Sequence, residues 1–299
     1  MPFNTDASID WATFETYLAG VVEGGPSAIA VNMAAAEVTS LEHDEQFESI
    51  RRARKVAAAA CPIVAGLLAT HTRGAVDLGR RLVDAGAEAL VVFPPLPTFS
   101  SKPLDIKMVV DHHAAIAAAV DVPIIAFNTG NATYPAGTIG ALSAIENLVA
   151  IKDAAFNIEI SADMVDEAAE TDGGMVVLTG NDTFILEALM LGSPGALIGY
   201  AATMTAELVV MQQHVQAGRI TEAHEVWQRI GPLARMIWRA PLRDYRPRLK
   251  YTLMRQGVLP NAVTRAPQPG ITDRDKADIE RLFERYGYAD ARYRPSGRA

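Results

Sequence analysis

The sequence lacks the features of several protein classes. Only one cysteine, Cys61, occurs in 299 residues, so no disulfide can form within the chain, and we expect a reducing, cytoplasmic setting. No run of residues is long and apolar enough to span a bilayer, and the first residues have neither the basic stretch nor the apolar core of a signal peptide. The 27 basic and 35 acidic residues give a formal net charge of -8, which argues against nucleic acid and membrane surfaces as partners.

The common cofactor and metal motifs are also missing. No Gly-x-Gly-x-x-Gly pattern follows an apolar run, and no Walker loop occurs. The adjacent pair His112-His113 lacks the spacing of a zinc motif, in which two histidines lie four residues apart. We therefore expect an activity that needs no cofactor and no metal.

The chain does contain short apolar runs that alternate with longer amphipathic segments. Strand, helix, strand at this spacing predicts an α/β fold in which crossover helices join parallel strands. Seven runs at intervals of about thirty residues predict a (β/α)8 TIM barrel with a C-terminal helical extension. The runs are residues 28–32, 62–66, 89–93, 123–128, 148–152, 175–180 and 195–199.

A closed barrel of this type needs an eighth strand. Because an open barrel would expose a sheet edge, we expect Met1-Pro2-Phe3 to be the end of a first strand that is truncated or mostly missing. The alternative is that the barrel closes imperfectly. The pattern after Thr203 is purely helical, with helices predicted at 221–239, 247–256 and 273–286. The predicted division is therefore a TIM barrel at 1–218 and a helical extension at 219–299.

The run from Leu148 to Ile151 ends in a lysine, Lys152. A strand of a helix-covered parallel sheet is buried on both faces, and the C-terminal strand ends of a barrel carry its chemistry. An ammonium group there is poorly solvated, so we expect its pKa to fall and its amine to attack carbonyl groups. A lysine that closes the strand and points into solvent is the alternative.

Four motifs resemble the class I aldolase superfamily of dihydrodipicolinate synthase and N-acetylneuraminate lyase, over nearly the whole chain. They are Pro2-Phe3-Asn4, Lys152-Asp153-Ala154, Gly180-Asn181-Asp182 and the stretch 191–199. The resemblance implies that Lys152 forms a Schiff base with the keto group of pyruvate or a related 2-oxo acid. The protonated imine is then the electron sink for C–C cleavage, C–C formation or β-elimination. The resemblance also implies a homo-oligomer, a tetramer in this family.

The chain departs from the family pattern at several site positions. Phe127 stands where the family has a proton-relaying tyrosine, and Ala132 stands where the synthase branch has an arginine for a substrate carboxylate. The family loop whose threonines hold the pyruvyl carboxylate aligns with Met33-Ala34-Ala35-Ala36-Glu37, and the loop Pro94-Pro95-Leu96-Pro97 lacks the family tyrosines. From these losses we expect that the chain is not dihydrodipicolinate synthase itself.

Two residues are candidates for the missing acid–base group. Tyr134 lies seven residues after Phe127, on the loop that follows its strand, and carries a phenol, while His71 precedes a helix that we expect Thr72 to cap. The alternatives are that Tyr134 is a surface or interface residue and that His71 is a solvated loop residue, neither with a catalytic role. Lys152, Tyr134 and His71 form the predicted catalytic set. The predicted substrate-binding residues are Ala35, Ala36, Glu37, Phe127, Asn128, Asn181 and Ile198.

Three functions stay open at this point. The first is a lyase, either an aldolase or a dehydratase, that acts on a small 2-oxo acid through a Lys152 Schiff base. The second is a family member that binds a keto acid or sugar acid without the usual turnover, which the lost tyrosine and threonines favour. The third, a metal-dependent aldolase on the same barrel, is weak because the sequence has no cluster of carboxylate and histidine ligands.

Overall fold

The centre of the molecule is a curled sheet of six parallel strands that pair in chain order. A computed structural model describes residues 1–95, 104–171 and 174–288. Parallel neighbours cannot be joined by tight turns, so helices carry the chain back between them. The strands are β1 (Ile29–Val31), β2 (Ile63–Leu67), β3 (Ala89–Val92), β4 (Ile124–Thr129), β5 (Leu148–Ala154) and β6 (Val176–Thr179).

Eight helices accompany the sheet in the described ranges, and three more follow it. Several begin at a polar residue whose side chain accepts a backbone N–H, such as Asp10, Asp105, Asn157 and Thr272. Over the ranges described here, no helix is both long and apolar enough to cross a membrane. The helices are α1 (Trp11–Glu23), α2 (His43–Ala57), α3 (Thr72–Asp84), α4 (Ile106–Ala117), α5 (Thr138–Leu142), α6 (Ile158–Ala169), α7 (Ile185–Met190), α8 (Ala201–Gln216), α9 (Ile220–Ile237), α10 (Tyr245–Arg255) and α11 (Asp273–Tyr286).

The first six predicted strands form, but the seventh and the expected first strand differ from the prediction. The run 195–199 makes only an isolated parallel bridge, between Thr179 and Ala196. Its two glycines, at positions 195 and 199, weaken a strand because they have no side chain to pack. Phe3 forms an antiparallel bridge with Ile9 in place of a parallel strand. The closed eight-stranded barrel and the truncated first strand stay predictions.

The alternation of side chains along β5 decides which residues face the inside of the curled sheet. Lys152 pairs with Phe127 on β4 and with Leu178 on β6, and these three share the inner face. Ile151 and Asp153 point to the opposite face, towards the helices. The inner face carries a small apolar cluster, whereas a much larger core fills the space between sheet and helices. Lys152 therefore projects into an apolar interior.

A second apolar core joins α7 and α8 to the three C-terminal helices. Arg248 on α10 is 2% exposed, and its Nε donates to Asp275 of α11 at 3.0 Å. Arg248 also donates to the carbonyl oxygens of Ile237 and Arg239 at the end of α9. One buried guanidinium thus ties together all three helices of the extension. The predicted division at residue 218 stays a prediction, since the second core draws residues from both sides of it.

We expect Asp275→Asn to lower the free energy of unfolding by about 3 kcal/mol, because the substitution removes the nearer of two counter-charges from the buried Arg248 cation and leaves only Asp244, at 3.9 Å. Urea unfolding followed by circular dichroism measures this loss. The matched control is Asp273→Asn in the same helix turn. Asp273 is 98% exposed and pairs with Lys276 on the surface, so its loss should stay below about 0.5 kcal/mol. Equal losses in the two variants would contradict the role assigned to Asp275.

Candidate active site

Lys152 is the centre of the candidate site. Its side chain belongs to a residue that is only 7% exposed, and its Nζ lies 4.3 Å from the centroid of the Phe127 ring. A Cβ atom on Gly180 would lie 2.5 Å from Lys152 Cε, so only glycine leaves room for the lysine stem at this point of the neighbouring segment. The amine is therefore held beside an aromatic face by close packing.

Burial shifts the protonation of the two ionisable groups that share this interior. It lowers the pKa of Lys152 to about 8, although the negative charges of Asp182 and Asp153 act in the opposite direction. Burial also raises the pKa of Asp182 to about 7, against the effects of a hydrogen bond from the Tyr200 N–H at 2.6 Å and of the nearby lysine charge. Amine and carboxyl thus both have a neutral form that is populated near neutral pH.

A network of buried polar side chains fixes the strand behind the lysine. Asp153 Oδ1 accepts from Asn128 at 2.7 Å, and Oδ2 accepts from Ser161 at 2.5 Å and Asn181 at 2.8 Å. The Asn181 amide also donates to the backbone carbonyl of Asp153. Asn128 and Asn181, predicted to bind substrate, are thus engaged on the outer face and hold the strand that carries Lys152.

The structure places the two predicted acid–base residues away from the lysine. The hydroxyl of Tyr134 lies 3.4 Å from Nε2 of His113 on α4, because a bridge at the end of β4 turns the chain back towards the helices. His71, and not Thr72, is the N-cap of α3, and its Nδ1 accepts from the N–H of Gly74. Across the described ranges, no hydrogen bond or ring contact joins either residue to Lys152.

The loop of residues 32–37, here called the β1 loop, connects the sheet to the C-terminal helices. Asn32 and Glu37 both have positive φ angles, which make the loop compact. The carbonyl oxygen of Ala34 accepts from Nε of Arg246 at 2.8 Å. The carboxylate of Glu37, 1% exposed, accepts from Nζ of Lys250 at 2.9 Å. Glu37, predicted to bind substrate, therefore has a charged partner on α10.

Three further predicted residues, Ala35, Ala36 and Ile198, lie where the β1 loop meets the end of α9. Ala35 and Ile198 pack against the second core, and Ala36 is half-buried. A Cβ atom on Gly199 would lie 2.8 Å from Ala35 Cβ and 2.7 Å from the Trp238 ring. This close approach brings the helical extension to the carboxyl end of the sheet.

Some residues of the site were missed or misjudged from the sequence. Asp182 was not among the predicted site residues although its motif was noted, and its negative charge lies close enough to raise the pKa of Lys152. Trp238, Tyr245 and Arg246 come from the extension, where no local pattern marks them. Leu96, in the loop that lacks the family tyrosines, lies outside the described residues. Within the described ranges, no group of three or more potential metal ligands occurs.

The fold and the buried amine define a class: a parallel α/β protein with a lysine suited to carbonyl chemistry. The model of the Dihydrodipicolinate synthetase family matches residues 1–285, so the chain belongs to this family. The resemblance inferred from the motifs is thereby confirmed, and the chain is a family lyase of the aldolase type.

Individual relatives agree with this assignment. The 4-hydroxy-tetrahydrodipicolinate synthase of Chlorobaculum parvum is 30% identical over 292 residues, which cover 96% of this chain and 94% of the relative. The enzyme of the same name from Oceanobacillus iheyensis is 23% identical over 291 residues, covering 96% and 95%. The crystal structure of the dihydrodipicolinate synthase from Acinetobacter baumannii with pyruvate has a TM-score of 0.86 at 23% identity, covering 96% of both chains. The last comparison shows the shared fold.

One expectation needs correction. The chain was expected not to be dihydrodipicolinate synthase itself, because Phe127, Ala132 and the β1 loop depart from the family pattern. Curated synthases that match 96% of the chain contradict that exclusion. Changes at a few site positions do not outweigh similarity along the whole chain.

Competitive acetylation with trace acetic anhydride should report the depressed pKa of Lys152. Between about pH 6 and about pH 11 we expect its reactivity to rise with a midpoint at about 8, since only the neutral amine reacts. Lys107 is an internal control: it is exposed, and Asp111 raises its pKa above the ordinary 10.5. In Asp182→Asn the midpoint of Lys152 should fall further, because a charge that favours the ammonium is removed. A midpoint near that of Lys107, or no labelling at any pH, would contradict the described burial.

Proposed function

We propose that the protein is a lyase that condenses Lys152 with a small 2-oxo acid and uses the resulting imine to make or break a bond next to the former carbonyl carbon. The observation that carries this proposal is the amine of Lys152, buried on the inner face of the sheet with its pKa lowered towards neutral pH. Membership of the family supports the same chemistry. The tetramer and the cytoplasmic location stay predictions.

The first half of the reaction follows from the neutral forms of two groups. The lone pair of Lys152 Nζ attacks the carbonyl carbon, and a proton moves from the nitrogen to the former carbonyl oxygen. A second proton, from the neutral carboxyl of Asp182, lets that oxygen leave as water, so an iminium cation and a carboxylate form together. In a poorly solvated interior a pair of opposite charges is far less costly than one isolated charge.

The second half uses the iminium as an electron sink. Either the C–H bond on the carbon next to it or the bond from that carbon to its neighbour breaks and releases its electron pair into the iminium, and an enamine forms. The Asp182 carboxylate accepts the released proton, because burial places its pKa at about 7. A positioned acid–base group of this kind contributes about 10²–10⁴-fold to rate.

Borohydride reduction should trap the imine. After incubation with pyruvate and borohydride, mass spectrometry should find a secondary amine on the peptide that contains Lys152, and Lys152→Met should abolish it. Gly180→Ala should slow trapping by about 10²-fold, because its Cβ displaces the lysine stem and a misplaced nucleophile reacts slowly. Gly140→Ala is the control, since nothing lies within 4 Å of its added Cβ.

Two results would count against this proposal. Wild-type trapping rates in Gly180→Ala would show that Lys152 does not pass Gly180 as described. A panel of 2-oxo acids that gives no adduct at Lys152 would reject the Schiff-base function itself.

The second candidate is a protein that forms the imine but does not turn it over. The observation that favours it is Phe127, whose ring faces Lys152 Nζ and can neither donate nor accept a proton. The two candidates differ in whether the enamine forms after the imine.

Exchange of the methyl protons of pyruvate for deuterium in heavy water separates the candidates, because exchange requires the enamine. NMR should show exchange with the wild-type protein and none with Lys152→Met. Asp182→Asn should slow exchange by about 10²-fold, since it removes the proton acceptor. Asp273→Asn, on the exposed surface of α11, should leave the rate unchanged. An adduct at Lys152 without exchange would favour the binding protein.

A further inference from the structure

Arg246, at the start of α10, differs from the other half-buried and buried arginines that the structure describes. Six described arginines are half-buried or buried. Five of these pair with carboxylates: Arg52, Arg54, Arg239, Arg248 and Arg265. For Arg246, the sixth, no carboxylate partner occurs within the described ranges. A partly desolvated guanidinium without a counter-charge is costly, so an external anion is its natural complement.

The guanidinium is nevertheless held in place. Its Nε donates to the carbonyl oxygen of Ala34, which leaves the two terminal nitrogens free of acceptors among the described residues. Its Cζ lies 4.8 Å from the centroid of the Tyr245 ring, and that ring stacks on Trp238 at 5.4 Å with an interplanar angle of 12°. An arginine fixed by an aromatic face and one hydrogen bond presents a preorganised fork of N–H donors.

This fork lies at the same edge of the sheet as Lys152 and Asp182. The β1 loop follows the carboxyl end of β1, and Asp182 follows the carboxyl end of β6, so parallel strands bring the two to one edge. Trp238 contacts Gly199, the residue before Tyr200, whose N–H donates to Asp182. The nearby Asp182 charge also contributes to the raised pKa of Tyr245. Arg246 therefore borders the interior that holds the amine.

We propose that Arg246 binds a carboxylate of the substrate as a two-pronged donor, at the rim of the site that contains Lys152. The proposal rests on the proposed Schiff-base function for the identity of the substrate. It also accounts for the β1 loop, in which alanines replace hydroxyl side chains and the carbonyl of Ala34 instead positions a guanidinium. The carboxylate is either the one next to the keto group or a second one further along a 2-oxo diacid.

The concentration dependence of borohydride trapping at Lys152 tests the proposal. In Arg246→Gln the half-saturating concentration of pyruvate, of 2-oxoglutarate or of both should rise at least about tenfold, and in Arg246→Lys by less, because a charge without a fork is retained. Hydroxyacetone, a ketone without a carboxylate, should be trapped alike by all variants. Arg243→Gln is the matched control, since Arg243 is exposed and precedes the same helix.

Two substrates distinguish the possible carboxylates. If only 2-oxoglutarate loses affinity in Arg246→Gln while pyruvate does not, Arg246 binds the distal carboxylate. If both lose affinity alike, it binds the carboxylate next to the keto group. Unchanged half-saturation for both acids, in a variant whose urea midpoint equals that of the wild type, would overturn the proposal.

Lactate separates this proposal from the Schiff-base function, because it carries the carboxylate but no keto group. In calorimetric titrations it should bind the wild type and Lys152→Met, and, where Arg246 binds the carboxylate next to the keto group, it should bind Arg246→Gln at least about tenfold more weakly. Binding of lactate without any trapping of 2-oxo acids would reject the Schiff-base function and keep the anion site. Trapping at Lys152 with equal lactate affinity in Arg246→Gln, and with unchanged half-saturation for both pyruvate and 2-oxoglutarate, would reject the anion site alone.

Discussion

The rest of the structure depends on one constraint, which is that the amine of Lys152 is kept out of water. Bulk solvent would hold this group as an ammonium ion across the physiological range, and an ammonium ion has no lone pair for a carbonyl carbon. The curled sheet meets the constraint by placing Lys152 on its apolar inner face, between Phe127 and the segment at Gly180. The nearby Asp182 limits the cost, because the two buried groups can be neutral together or charged together.

The same constraint explains why so much polar structure lies outside the site. A lysine inside a sheet is held in place only if its strand cannot shift register, since a shift by one residue would turn it to the opposite face. Asp153 prevents this by accepting from Asn128, Ser161 and Asn181 behind the sheet. On the other side, Glu37 and Lys250 form a buried ion pair that fixes the β1 loop to α10. Breaking such a pair costs about 3–5 kcal/mol, so the extension is part of the site's scaffold.

The sequence predicted those parts that depend on local pattern. Apolar runs gave six strands nearly residue by residue, and α11 begins and ends at the predicted residues, because Thr272 caps it and Gly287 takes the left-handed conformation that ends it. Lys152 was found because a charge at the end of an apolar run is itself a local signal. The predicted roles of Tyr134 and His71 rested on loop position alone. A loop can turn either way, and here Tyr134 meets His113 while His71 caps α3. Arg246 could not be found because its hydrogen-bond partner Ala34 lies 212 residues away in the chain.

The ring of Phe127 has a consequence beyond the loss of a phenol. Its face lies 4.3 Å from Lys152 Nζ, and the electron-rich face of an aromatic ring attracts a cation more strongly where water is excluded. In the proposed reaction the cation forms at this same nitrogen when the carbinolamine loses water, so the ring favours the iminium over the neutral carbinolamine that precedes it. A phenyl ring cannot carry protons, and that task then falls to a second group. Asp182 is the buried acid beside the amine, and its raised pKa suits it to that exchange. A tyrosine at position 127 would both stabilise the cation and transfer the proton. In the proposed reaction these two tasks fall to two side chains, Phe127 and Asp182.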